Sequence, residues 1–237
     1  MSFTLILVVL LSSSGEGAWK PGGADSLKKF ESLHSADHVE VDAELDEPDW
    51  ARAPALRFQD DTFRNFPLKN ENSVEVRSLW DESSLYFAFR VYDKDLRAIY
   101  TTHEHPDLSS DDIVEFLIDT SNAKEPCWNE NSVIYHINLH GKRKTDRGSD
   151  ACVPDGVWHG NGDHAVQVFG TVNDDRDVDQ GYIVEVAVSW EELGIQPAPG
   201  LRLGANFANA ERRIFFDWAG ARPFRSPDAF GDLVLVK

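Results

Sequence analysis

Two β-type runs, separated by a polar loop between residues 111 and 140, restrict this chain more than any other feature. The segment reads DDIVEFLIDTSNAKEPCWNENSVIYHINLH. Strand side chains alternate between faces, so each run sorts into two lists. In 133–140, Val133, Tyr135, Ile137 and Leu139 share one side, and Ile134, His136, Asn138 and His140 share the other. In 113–119, Val114, Phe116 and Ile118 oppose Ile113, Glu115 and Leu117. One face is core. The other is apolar but carries Glu115, His136 and Asn138, which are costly to bury without hydrogen-bond partners. Such a face suits a polar ligand.

The same alternation recurs along the chain. Strands are expected at 39–43, 74–80, 85–92, 165–169, 182–188, 201–207, 214–218 and 233–236, with the 74–80 and 85–92 runs joined by a tight Asp81-Glu82-Ser83-Ser84 turn as a hairpin. Only residues 190–194, after Ser189 as N-cap, read as a helical turn. Residues 141–163 read as loop. About ten strands and almost no helix predict an all-β sandwich. No internal repeat or low-complexity tract interrupts the pattern.

The N-terminus, MSFTLILVVLLSSSGEGAW, has an apolar run at 3–11 too short to span a bilayer, followed by small residues. It reads as an export signal over residues 1–17, though no Lys or Arg precedes the run. Residues 18–37 read as a polar leader with a short helix around 26–33. Residues 38–237 form the domain, and the mature chain is expected to be secreted or periplasmic. Cys127 and Cys152 then pair most simply with each other. A zinc site with His136, His140 or His159 would lack the usual ligand spacing. The formal charge of −18 argues against nucleic acid and against an anionic membrane surface as partners.

Several phrases in order, LDEPDW (45–50), LWDESSLYFAFRVYDKDL (79–96), DDIVEFLID (111–119), YHINLHG (135–141), GYIVEVAVSWEELG (181–194), LGANFANAERR (203–213) and SPDAFGDLVLVK (226–237), resemble the family 9 carbohydrate-binding modules and their wider relatives. The resemblance covers about residues 38–237. It implies a jelly-roll-type β-sandwich that binds sugars, holds structural calcium and has no catalytic machinery. Such modules clamp a sugar ring between two Trp side chains. Here Leu108-Ser109 occupy the first place and Phe224 the second. The ligand-binding Glu is matched by Glu115, an Arg is replaced by His136, and two Asn are matched by Asn138 and Asn206. The scaffold carries over; half of the stacking clamp does not.

Sugar recognition needs an aromatic plate and groups that exchange hydrogen bonds with vicinal hydroxyls. Glu115, His136, Asn138 and Asn206 supply the second need, or else form a satisfied polar layer beneath a loop. Phe224, Tyr100, Trp128 and Trp158 are the candidate plates; Trp50, Trp80, Trp190 and Trp218 belong to core phrases. Glu115 with Glu185 raises glycoside hydrolysis, which requires two carboxyls at a fixed separation. No nucleophile elbow, zinc-protease or phosphate-loop motif is present. Asp93/Asp95 and Asp111/Asp112 are open to calcium or to turn-capping, and 174–179 (DDRDVD) reads as a solvated turn. A b-type haem site would need two of His103, His105, His136 and His140, because the single Met is Met1. The expected partners are a carbohydrate and a separate carbohydrate-active enzyme.

Overall fold

The computed structural model describes residues 28–59, 72–211, 214–220 and 224–237. Its strands are β1 (Lys29–His34), β2 (Leu56–Gln59), β3 (Ser73–Trp80), β4 (Ser84–Tyr92), β5 (Ile113–Asp119), β6 (Ser132–Asn138), β7 (Arg143–Arg147), β8 (Asp163–Phe169), β9 (Gly181–Ser189), β10 (Arg202–Glu211), β11 (Ile214–Asp217) and β12 (Gly231–Val236). They join in one 12-stranded sheet of order β7-β6-β5-β10-β12-β1-β3-β4-β9-β8, with β11 on β10 and β2 on β3. The sheet curls at β1, so β7-β6-β5-β10-β12 and β3-β4-β9-β8 face each other as two layers.

Alternation explains the closure. Phe87 and Phe89 of β4 point inward and meet Phe116 of β5 and Phe207 of β10, with ring centroids 5.1 and 5.2 Å apart for Phe87. Val74, Val76, Val114, Tyr135, Val184 and Val186 complete this interior. At the joint β1 pairs in parallel with both β12 and β3, and Ser78 donates to Ser32 at 2.8 Å. The expected helix at 26–33 is overturned: residues 29–34 are a strand. KFESLH has helical composition, but Phe30 enters the core against Phe207 and Trp218, and tertiary pairing overrides local preference. The export segment at 1–17 lies outside the described residues.

Three other expectations change. Residues 39–43 carry no strand; they form a loop bound to the outside of β9. Residues 143–147, expected as loop, form β7, whose polar side chains hid an edge strand. Residues 48–52 form α1 (Pro48–Arg52), with Pro48 in the first turn, where its missing N–H costs nothing. The turn at α2 (Trp190–Leu193) is as expected: Ser189 caps it by accepting from the Glu192 N–H, and Gly194 ends it in the left-handed conformation.

The two layers have covered outer faces too. Beyond β3 and β4, Val39, Trp50 and Ala53 pack on Leu79, Tyr86 and Ala88. Beyond β5 and β6, Trp128 and Phe230 pack on Leu117 and Ile134, with Phe224 and Ala229 against them. The Cys127–Cys152 disulfide forms, tying the loop after β5 to the loop after β7.

Candidate functional site

Register decides which polar groups share a face. Glu115 lies opposite His136 on β6 and opposite Ala208 on β10. Ile113 lies opposite Asn138, and Leu117 opposite Asn206. Glu115, His136, Asn138 and Asn206 therefore all point outward from the same layer, away from the Phe116 side.

They are also covered. Glu115 is 1% exposed, His136 3%, and Asn138 and Asn206 0%. The short 3-10 turn Leu108–Ser110 lies over the β6 and β10 end, and the 224–230 segment over the Leu117 end. The shallow open face expected from alternation is instead a layer under two loops.

Asn138 and Asn206 hold those loops. Asn138 donates to the Tyr100 carbonyl at 2.8 Å and to Asp111 Oδ2 at 2.9 Å, and accepts from the His140 and Lys142 N–H groups. Asn206 donates to Asp217 Oδ1 at 3.1 Å and accepts from the Ala219 N–H at 2.9 Å. The amides that could read a hydroxyl are already engaged. Glu115 and His136 differ. His136 Nδ1 contacts Glu115 Oε1, while His136 Nε2 and Glu115 Oε2 are buried without a hydrogen-bond partner. Buried polar atoms are normally paired, so these two are unfilled positions of the layer, as are Ser132 Oγ and Trp128 Nε1 on the same side.

Two rings border it. Phe224 is half-buried and lies 5.8 Å from Phe215 of β11. Phe215 stands beside the small side chain of Ala210. The sequence reading missed Phe215, since only pairing with β10 puts it beside Phe224. Trp128 is packing, 4% exposed with Arg225 over its ring at 5.0 Å. Trp158 meets Tyr135 edge-on and carries Arg147 on its face. Tyr100 stacks on His105 at 4.0 Å.

One alternative chemistry, glycoside hydrolysis, loses its geometry. Glu115 points outward from β5, and Glu185 points outward from β9 in the other layer. Glu185 is 0% exposed and accepts from the Asp42 and Ala43 N–H groups and from Trp50 Nε1. Burial is the main reason its pKa rises to about 7. Two carboxyls on opposite sides of the core cannot flank one glycosidic bond. The histidines considered as haem ligands have separate engagements. His136 sits on Glu115, His140 faces the Ala98 carbonyl, His103 accepts from the Arg143 N–H, and His105 stacks on Tyr100.

The acidic pairs considered for calcium serve as backbone caps. Asp111 accepts from the Ile99 and Tyr100 N–H groups, Asp112 from Arg97, Asp93 from Asp95, and Asp179 from Leu96 and Thr171. Among the described residues no group of three or more His, Cys, Asp or Glu side chains is arranged to hold a metal ion.

The model of the Carbohydrate family 9 binding domain-like family matches residues 41–237. This chain belongs to that family. Family membership makes it a carbohydrate-binding type of module. It is 26% identical over 178 residues to Endo-1,4-beta-xylanase A of Thermotoga neapolitana and, equally, of Thermotoga maritima, matching 72% of this chain. The chain spans 15% and 14% of the length of those two enzymes. Among solved structures, a family 9 carbohydrate-binding module of Caldicellulosiruptor kristjanssonii bound to cellotriose superposes with a TM-score of 0.64 at 17% identity, covering 88% of this chain and 94% of that one. A putative carbohydrate-binding protein of Bacteroides uniformis gives 0.67 at 14% identity, covering 89% and 100%. These likenesses establish the shared β-sandwich.

Proposed function

We propose that the chain is an exported, non-catalytic module that binds a neutral sugar over the outer face of β5, β6, β10 and β11. The observation that carries this is the buried Glu115–His136 pair, with one unfilled acceptor and one unfilled ring nitrogen beside the Phe215–Phe224 pair. An aromatic edge next to unmatched polar atoms is what a sugar's two faces require. Family membership supports the ligand class, and the cellotriose held by the structural relative points to a glucan. The disulfide supports an oxidising destination. The covered floor implies that ligand enters as the Phe224 segment shifts, so affinity is reduced by the cost of that opening. The separate carbohydrate-active enzyme as partner belongs to this proposal, since the curated relatives carry the module within far longer enzymes.

Affinity electrophoresis against a series of glucans, with wild type, Phe224→Ala and Glu115→Gln, tests it. Losing one aromatic plate should weaken binding about tenfold. Wild-type mobility unchanged by every glucan would reject the reading. Turnover of a chromogenic glycoside abolished by Glu115→Gln would replace it with hydrolysis.

A further inference from the structure

We infer that the outer face of β2, β3 and β4, on the opposite side of the sandwich, is a second binding surface, and that it takes a carboxylate-bearing polysaccharide. This does not rest on the Phe224 site. The outward side chains here follow from register: Arg57 lies opposite Glu75, Glu75 opposite Arg90, Arg77 opposite Ala88, and Ser73 opposite Tyr92. The loop over Leu79 and Tyr86 ends at Trp50, and beyond it no other described residue covers the face. Two adjoining grooves of about 290 and 280 Å³ run along it and share Glu75 as a common wall.

Charge picks the occupant. The chain has 23 Lys and Arg against 41 Asp and Glu, yet among the described residues this face presents three guanidinium groups around one carboxylate. Glu75 orders two of them. Arg57 donates to its Oε2 at 2.9 and 2.5 Å, and Arg77 to its Oε1 at 2.9 Å. Arg77 is further fixed by the Trp50 and Ala53 carbonyls at 3.0 and 2.6 Å. With both guanidinium groups bonded to it, Glu75 keeps its pKa below the ordinary value despite burial. Arg90 is exposed, and among the described residues it has no hydrogen bond or ion pair. Tyr92, 49% exposed, lies next along the same strand face. Glu44 and Asp46, exposed neighbours of Leu45, border the Trp50 end.

Planar guanidinium groups bind carboxylates in paired hydrogen bonds. Arg57 and Arg90 stand two strands apart, roughly 10 Å at the backbone, which suits successive anionic groups along an extended chain. Tyr92 offers a ring for the intervening apolar sugar face. A protein repelled by polyanions overall can thus hold one along a single stripe, and the contact should weaken with salt.

The test is affinity electrophoresis in polygalacturonate, with wild type, Arg90→Ala, Tyr92→Ala and Phe224→Ala. Arg90 and Tyr92 are exposed, so both changes should leave the fold intact, checked by circular dichroism. We expect retardation of wild type and of Phe224→Ala, retention about tenfold weaker for Arg90→Ala and Tyr92→Ala, and loss of retardation at about 0.5 M salt. No retardation of wild type, or retardation unchanged by Arg90→Ala, would overturn the inference. A dimer in sedimentation that Arg90→Ala disperses would also overturn it, by giving the face to a second copy of the chain.

Discussion

Replacing Glu185 by Gln isolates the cost of holding a carboxyl group inside the β9 layer. Burial raises its pKa from the ordinary 4.5 to about 7, and Glu47 nearby adds to the rise. Between those values the folded chain keeps a proton that the unfolded chain has released. The stability contribution is therefore complete below pH 4.5 and declines as pH rises through 7. The gap from 4.5 to about 7 amounts to about 3 kcal/mol at about 1.4 kcal/mol per pH unit. The Gln variant cannot titrate. It has one acceptor oxygen for three N–H donors, and its amide N–H₂ faces at least one of them, a fixed loss of about 1–3 kcal/mol. Urea unfolding followed by tryptophan fluorescence at pH 5, 6, 7 and 8 measures both. The wild type should be the more stable at pH 5, with its advantage shrinking by about 2.5 kcal/mol towards pH 8, part of the effect being already lost at pH 5. Subtracting the variant removes the same-sign contribution of Asp93, whose burial raises its pKa to about 6. A difference that stays constant or widens with pH would refute the argument that this carboxyl is held neutral.

Asn138→Ala should lower stability by about 2–3 kcal/mol, because it strands the Tyr100 carbonyl and the His140 and Lys142 N–H groups; a variant that loses glycan binding at full stability would show that Asn138 reads ligand instead. Reducing the Cys127–Cys152 bond, which spans 25 positions, should cost roughly 3.5 kcal/mol from the loop-closure relation, read as a lower urea midpoint in dithiothreitol. Gly181→Ala should lose about 3 kcal/mol or more by thermal unfolding, since its φ is +120° and an added Cβ would lie 1.9 Å from the Val91 carbonyl oxygen.

Period-two patterning made most of the sandwich readable, because a half-buried strand must alternate. It gave the β3–β4 hairpin and the inward faces of β5 and β6, and it put Glu115, His136 and Asn138 on one side. Patterning failed where partners, not residue types, decide structure. KFESLH becomes a strand because β12 and β3 offer edges on both sides of it. RKTDR becomes β7 because β6 needs a neighbour. Whether the polar face is open depends on where the 99–110 and 224–230 segments lie, and no local sequence rule gives that. The Arg57–Glu75–Arg90 row was hidden for the same reason: its members come from three strands and meet only through register. Family resemblance carried Glu115 and Phe224 to one region, but gave no sign that Asn138 and Asn206 serve the loops.

The place of β12 has a consequence for how the chain is made. This strand joins β10 to β1, so both layers depend on residues 231–236 to become one sheet. A nascent polypeptide still lacking them has two unpaired edges and an unclosed interior holding Phe30, Phe87 and Phe207. Assembly must wait for the distal segment, through contacts spanning about two hundred positions, and such long-range closure is slow. The growing chain therefore stays unlocked and pliable until β12 slots in between β10 and β1.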